Sequence, residues 1–261
     1  MGHMDLLRTV KQRSVLSELI YIGLNLGLAL AVFFSVWAFE SPLIALLIVL
    51  LSKWRVLAVR PRFWTANIQA NMVDIIVSFG FVGLLYHSGA LLPQIIITLL
   101  YMGWLFFLKP RSRRMHMVVQ AHVATLVGIT ALFSATYSWP LFIVVILMWL
   151  IGYSSARHFL VAYDEKQLAF IALVWGLVAA QVGWLAYHWS IAYELPFSGG
   201  LLIPQVAIVM LFLGFLAERF YANINEDGEV RWSELVLPAA LSIGVIIMVQ
   251  LLFNAIGTGA I

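Results

Sequence analysis

Of the 261 residues, 63% are hydrophobic, 10% are charged and none is cysteine. Soluble domains are roughly 25% charged, so a water-solvated globule is excluded, and with it go disulfides, thiolate catalysis and Cys-based metal sites. The formal net charge of +3 sits in short basic loops that orient a membrane protein and attract anionic lipid headgroups, so a nucleic-acid partner is not implied.

Met1–Met4 reads as a cloning remnant and is set aside. The first apolar segment, residues 14–40, follows a basic stretch and is too long for a cleaved signal peptide, so it is expected to remain as an anchor. Further segments follow at 67–86, 91–108, 118–137, 141–153, 168–187, 201–216 and 235–256. Most approach the ~20 residues that cross ~30 Å of hydrocarbon. A shorter run, 42–59, reaches across only if its helix continues through Lys53, Trp54 and Arg55, with the cationic side chains snorkelling to the interface. Counting it places all fifteen Lys and Arg on one side, as the positive-inside rule demands. The fold expected is therefore an all-α bundle of nine spans in one transmembrane domain, N-terminus in and C-terminus out, in a plasma (inner) membrane. Trp37, Tyr86, Trp139, Trp184, Tyr187 and Trp189 would mark the outer interface, and Trp54, Trp64, Tyr163, Tyr221 and Trp232 the inner one.

Each inward-running helix opens near a proline, Pro42, Pro93, Pro140 and Pro204, a residue suited to a first helical turn. Gln69-Ala70-Asn71 and Gln120-Ala121-His122 echo one another in the following outward helices. The organisation expected is one N-terminal helix followed by four helical hairpins in parallel repeat. No linker or soluble domain interrupts it.

Polar residues inside the spans are the functional candidates. Asp74, ten residues into its span from Trp64, costs ~2.5–3.5 kcal/mol to insert. Asn67, Asn71, Asp74 and Ser78 fall at i, i+4, i+7 and i+11, on one helix face. That stripe reads as a proton or cation pathway, or as interhelical polar glue. Asn25 and His122 are candidate partners for Asp74, and His122 with Asp74 would make a proton relay. Arg157, His158, Glu218 and Arg219 form an expected charge cluster at the inner face. Gln181, Gln250 and Asn254 would permit an aqueous path through the outer half.

Enzyme signatures fail. There is no Walker motif and no His-Glu-x-x-His, and His116 and His122 are wrongly spaced for two ligands on one helical face. Ser198-Gly199-Gly200 is an incomplete match to rhomboid proteases. Asn71-x-x-Asp74 has a slight likeness to membrane prenyltransferases, which need two aspartate-rich motifs where this chain has one intramembrane aspartate. No metal or cofactor is expected.

The runs from Lys53 to Arg62, from Ala66 to Asn71 and from Ser155 to Leu160 resemble uncharacterised multi-span proteins of ultrasmall candidate-phyla bacteria. The resemblance implies a bacterial plasma membrane and no particular activity. The first functional reading is a transporter or channel for a small solute, ion or lipid. The alternative is a noncatalytic membrane scaffold or assembly subunit, in contact with other membrane subunits or copies of itself. An intramembrane enzyme ranks third.

Overall fold

The computed structural model describes residues 15–39, 41–135, 139–189, 191–194, 201–224 and 229–256. Ser198-Gly199-Gly200 lies outside the described residues, as does the side chain of Asn254. The elements in chain order are α1 (Val15–Ala38), α2 (Leu43–Ser52), α3 (Trp54–Leu57), α4 (Trp64–His87), α5 (Leu91–Gly103), α6 (Arg114–Ala135), α7 (Leu141–Val161), α8 (Leu168–His188), α9 (Gln205–Ala222) and α10 (Trp232–Ile256). Two short strands, β1 (Ala192–Glu194) and β2 (Leu202–Pro204), pair antiparallel between α8 and α9, Tyr193 opposite Ile203. Residues 201–204, expected to open a helix, are therefore mostly strand, and α9 starts after Pro204 and runs on to Ala222.

Eight helices among the described residues are long and apolar enough to cross a membrane. The short apolar run behaves differently from the other eight. Its helix stops at Ser52, and Lys53 takes φ −93°, ψ 9°, in the sparsely populated bridge region. Four helical residues follow as α3. Lys53 does not snorkel outward: it is 7% exposed and points into the bundle. α5 also ends irregularly, its last turn widening into a π-helix over Trp104–Leu108.

Exposed leucines, isoleucines and phenylalanines cover the outside of nearly every helix, which is the surface a bilayer solvates. The interior is built on close helix contacts. α4 and α6 meet at glycines: a β-carbon at Gly80 would lie 2.6 Å from Val127 Cγ1, and one at Gly128 2.7 Å from Ile76 Cγ2. Small residues allow backbones to approach this closely, and dispersion contacts then hold the helices where no hydrophobic force acts between them. The α7–α8 pair uses the same device at Gly152, where a β-carbon would lie 2.4 Å from Ala179 Cβ. α5 packs on α4 and α1 and reaches α6 through its π-helical end. α10 packs on α9 and leaves most of its circumference apolar and exposed.

The irregular ends collect at one end of the bundle. Lys53 and Lys109 both reach Asp74, Arg114 Nε donates to the carbonyl of Ala162 at 3.2 Å, and the Tyr221 hydroxyl donates to Glu165. At the close of α7 the chain turns through Asp164 at φ 54°, a left-handed conformation that aspartate tolerates better than most residues.

Candidate functional site

Asp74 stands on α4 where two other segments converge, and its carboxylate is closed by protein donors. Lys53 Nζ donates to Oδ2 from the break between α2 and α3. Lys109 Nζ lies 3.1 Å from the same oxygen, one residue beyond the π-turn. Trp104 Nε1 donates to Oδ1 at 3.2 Å. The side chains of Lys53 and Asp74 are 7% and 14% exposed, and Lys109 is 30% exposed. A lone intramembrane carboxylate would cost several kcal/mol; two ammonium groups and an indole N–H offset that cost, leaving a cluster with one surplus positive charge.

The backbone irregularities explain how these groups reach one point. In a regular α-helix residues five apart are separated by about 140° around the axis. The π-turn has an i→i+5 bond, seen here from Lys109 N to the Trp104 carbonyl at 2.9 Å, which stacks position 109 over position 104. Trp104 and Lys109 can then address the two oxygens of one carboxylate. On the other side, the break after Ser52 turns Lys53 inward, its N–H bonding the Leu50 carbonyl at 3.0 Å in a tighter i→i−3 closure.

Both broken helix ends leave carbonyls without helical partners, and side chains of the next helix take them. Asn67 Nδ2 donates to the Val56 carbonyl at 2.6 Å, and Trp64 Nε1 to those of Leu57 and Val59 at 3.1 and 3.0 Å. Gln120 Nε2 donates to the carbonyls of Leu108 and, at 2.9 Å, Arg111. Its Oε1 is thereby fixed as acceptor for His158 Nε2 at 2.7 Å. The role of Gln120 is matched by Asn67, since Gln69 is exposed.

The expected polar stripe does occupy one face of α4, and its members are chained to one another. Asn71 Nδ2 donates to the Asn67 carbonyl at 2.8 Å, and Ser78 Oγ to the Asp74 carbonyl at 2.7 Å. Asn25 is buried and donates to the Tyr21 carbonyl of its own helix at 2.9 Å. His122 faces α9 instead of Asp74, its ring 6.4 Å from that of Phe215. Gln181 and Gln250 are exposed on the outer surfaces of α8 and α10, so they line no interior path.

The inner-face charge cluster divides in two. Glu218, 4% exposed, accepts from the Tyr163 hydroxyl at 2.8 Å and ion-pairs Arg219 at 3.1 Å. His158 belongs to the Gln120 network, and Arg157 is half-buried on the same helix. Burial and the Glu218 hydrogen bond push the Tyr163 phenol up to about 12. Tyr163, Phe159 and Tyr221 pack edge-to-face, with the Arg114 guanidinium 4.6 Å from the Tyr163 ring centre. Glu165 accepts from Tyr221 and from the Gln167 N–H at 2.6 Å, and these bonds hold its carboxyl below the usual range.

Sequence reasoning missed Lys53, Lys109 and Trp104 as the partners of Asp74. The available signal was the lysines themselves: of four in the chain, two stand directly at the ends of apolar runs that flank the Asp74 helix. Among the described residues no group of three or more His, Cys, Asp and Glu could hold a metal ion. No family model, curated protein or solved structure matches this chain.

Proposed function

We propose that the protein is a noncatalytic multi-pass scaffold or assembly subunit, in which the Lys53–Asp74–Lys109 cluster locks α2, α4 and α5 together at the basic end. The observation that carries this reading is the closure of Asp74 by Lys53, Lys109 and Trp104, which leaves its carboxylate committed to protein donors. The outward-facing Gln181 and Gln250 support it, because an amide side chain turned toward hydrocarbon lacks hydrogen-bond partners until another protein supplies them.

One observation favours transport as a second reading. Two lysines on one carboxylate leave a surplus cation in a largely buried site, and charges there mark ion or proton pathways in many membrane proteins. Replacing the whole cluster separates the two readings. A Lys53→Met, Asp74→Leu, Lys109→Met variant removes all three charges at similar volume, a change that folded proteins often accept. Reconstituted into liposomes with a pH-sensitive dye and an imposed potassium diffusion potential, the unmodified protein is expected to match protein-free vesicles in H⁺, Na⁺, K⁺ and Cl⁻ flux. Flux present in the unmodified protein and lost in the triple variant would overturn the scaffold reading.

The same proposal includes nine crossings, with α2 and α3 as the short second one and the basic end in the cytoplasm of a bacterial cell. Support comes from the collection of basic loops at one end and from the positive-inside rule. Single cysteines at Ser41 and Ser112 of the cysteine-free chain should label from opposite sides, since three crossings separate them. Labelling from one side reduces the count to eight.

A further inference from the structure

α6 and α9 do not close against one another along their basic-end halves. Between them lies a cleft of about 260 Å³, walled by apolar residues such as Val119, Leu126 and Leu211. It is open to the outside: Met115 at its lip is 67% exposed and Val119 38%. His122, Phe215, Glu218 and Arg219 complete the lining.

The polar atoms here are unfinished in a specific way. His122 Nδ1 lies 2.8 Å from the Val118 carbonyl, so the ring proton belongs on Nδ1 and Nε2 is an acceptor. That Nε2 is buried with no hydrogen-bond partner among the described residues. Arg219 Nε ion-pairs Glu218 Oε2 at 3.1 Å without forming a hydrogen bond, and the guanidinium lies 5.1 Å from the Phe215 ring centre. Its two terminal nitrogens have no protein acceptor among the described residues, and the side chain is 40% exposed. From the lip inward the cleft therefore offers guanidinium N–H donors at Arg219 and then an apolar trough.

We propose that this cleft holds one acyl chain of an anionic glycerophospholipid, with the phosphate on Arg219. The order of groups is that of a phospholipid entering from the membrane surface: anionic oxygens first, then hydrocarbon. Guanidinium suits phosphate because its fork matches two phosphate oxygens. An apolar helix of another subunit could fill the trough but would leave the Arg219 donors unmet.

Native mass spectrometry of the detergent-purified protein, titrated with dioleoyl phosphatidylglycerol or dioleoyl phosphatidylcholine, tests this. One phosphatidylglycerol per chain is expected to persist at collision energies that strip phosphatidylcholine. Arg219→Gln should weaken that adduct about tenfold, the worth of one charge-assisted hydrogen bond. Val119→Trp, placed at the exposed lip so that its ring fills the trough without disturbing the core, should abolish it. Equal retention of the two lipids by the unmodified protein overturns the proposal. So does phosphatidylglycerol binding that survives both variants. Should Val119→Trp fail to give monodisperse protein, Leu211→Trp on the opposite wall and Arg219→Gln decide the matter by the same readout.

Discussion

The Asp74 cluster and the α6–α9 cleft carry similar ingredients to opposite ends. Each has an ionisable side chain set into an apolar wall near the basic end of the bundle. At Asp74 the backbone itself departs from regular helix twice, at Lys53 and over Trp104–Leu108, and those departures bring a donor to every carboxylate oxygen. Around the cleft both helices stay regular, and His122 Nε2 keeps an unshared lone pair. Helix irregularity is a device for completing a polar site from within, and regular helices leave completion to something outside. The first region should accordingly govern folding, and the second should respond to what is added.

The sharpest way to break this comparison is to uncouple Asp74. Asp74→Asn leaves Lys53 charged and 7% exposed with no counter-ion, and losing one partner of a buried pair typically costs about 3–5 kcal/mol. Lys109 is 30% exposed and can turn toward water, so Lys109→Met should cost no more than a surface pair, about 0–1 kcal/mol. Thermal unfolding in detergent should rank Asp74→Asn below Lys109→Met. Equal midpoints for the two variants would mean that the cluster does not hold the fold.

A second contrast sets Gln120 against His122, two residues apart on α6. Gln120→Leu strands the carbonyls of Leu108 and Arg111 and the Nε2–H of His158, and stranded buried groups cost about 1–3 kcal/mol. His122→Phe removes a buried nitrogen that already lacks a partner, so lipid-free protein should lose little, within about 0.5 kcal/mol. If both variants melt alike, the difference between the finished and the unfinished site is not energetic.

Much of this was legible in the sequence, and the reason it stopped where it did is physical. Hydropathy over long runs reports burial in lipid, and eight of the nine expected segments are helices of spanning length. The stripe from Asn67 to Ser78 followed from helical spacing alone. What spacing cannot show is a departure from the helical period. Lys53 and Lys109 look like interfacial charge so long as their helices are taken as regular, because only the break and the π-turn swing them inward. Nor does spacing within one helix give its azimuth against the others: His122 turns to α9 and Asn25 bonds within its own helix, so neither meets Asp74. Depth along a span says nothing of which side faces in, and Gln181, at a depth that would permit an aqueous path, is exposed on the outer surface of its helix.

The smallest expected effect lies outside the two regions, at Glu165, which closes the α7–α8 turn. It accepts from the Tyr221 hydroxyl of α9 and from the Gln167 N–H, and the Tyr221 bond is the larger cause of its lowered pKa. A carboxyl whose folded pKa lies below its unfolded value stabilises the fold at pH above the unfolded value. That contribution is lost as pH falls from there through the folded one. The difference in melting temperature between the unmodified protein and Glu165→Gln should therefore be constant near neutrality and shrink on acidification below the ordinary carboxylate range. Tyr221→Phe removes the principal cause and should move that shrinkage to higher pH, with Gln167 still bonded. Melting curves taken at intervals from neutral to acid pH supply the test, with the difference between variants as the quantity read, since other carboxylates titrate in both and cancel. A difference that stays flat through the acid limb would show that the Tyr221–Glu165 contact does not link α9 to the α7–α8 turn in solution.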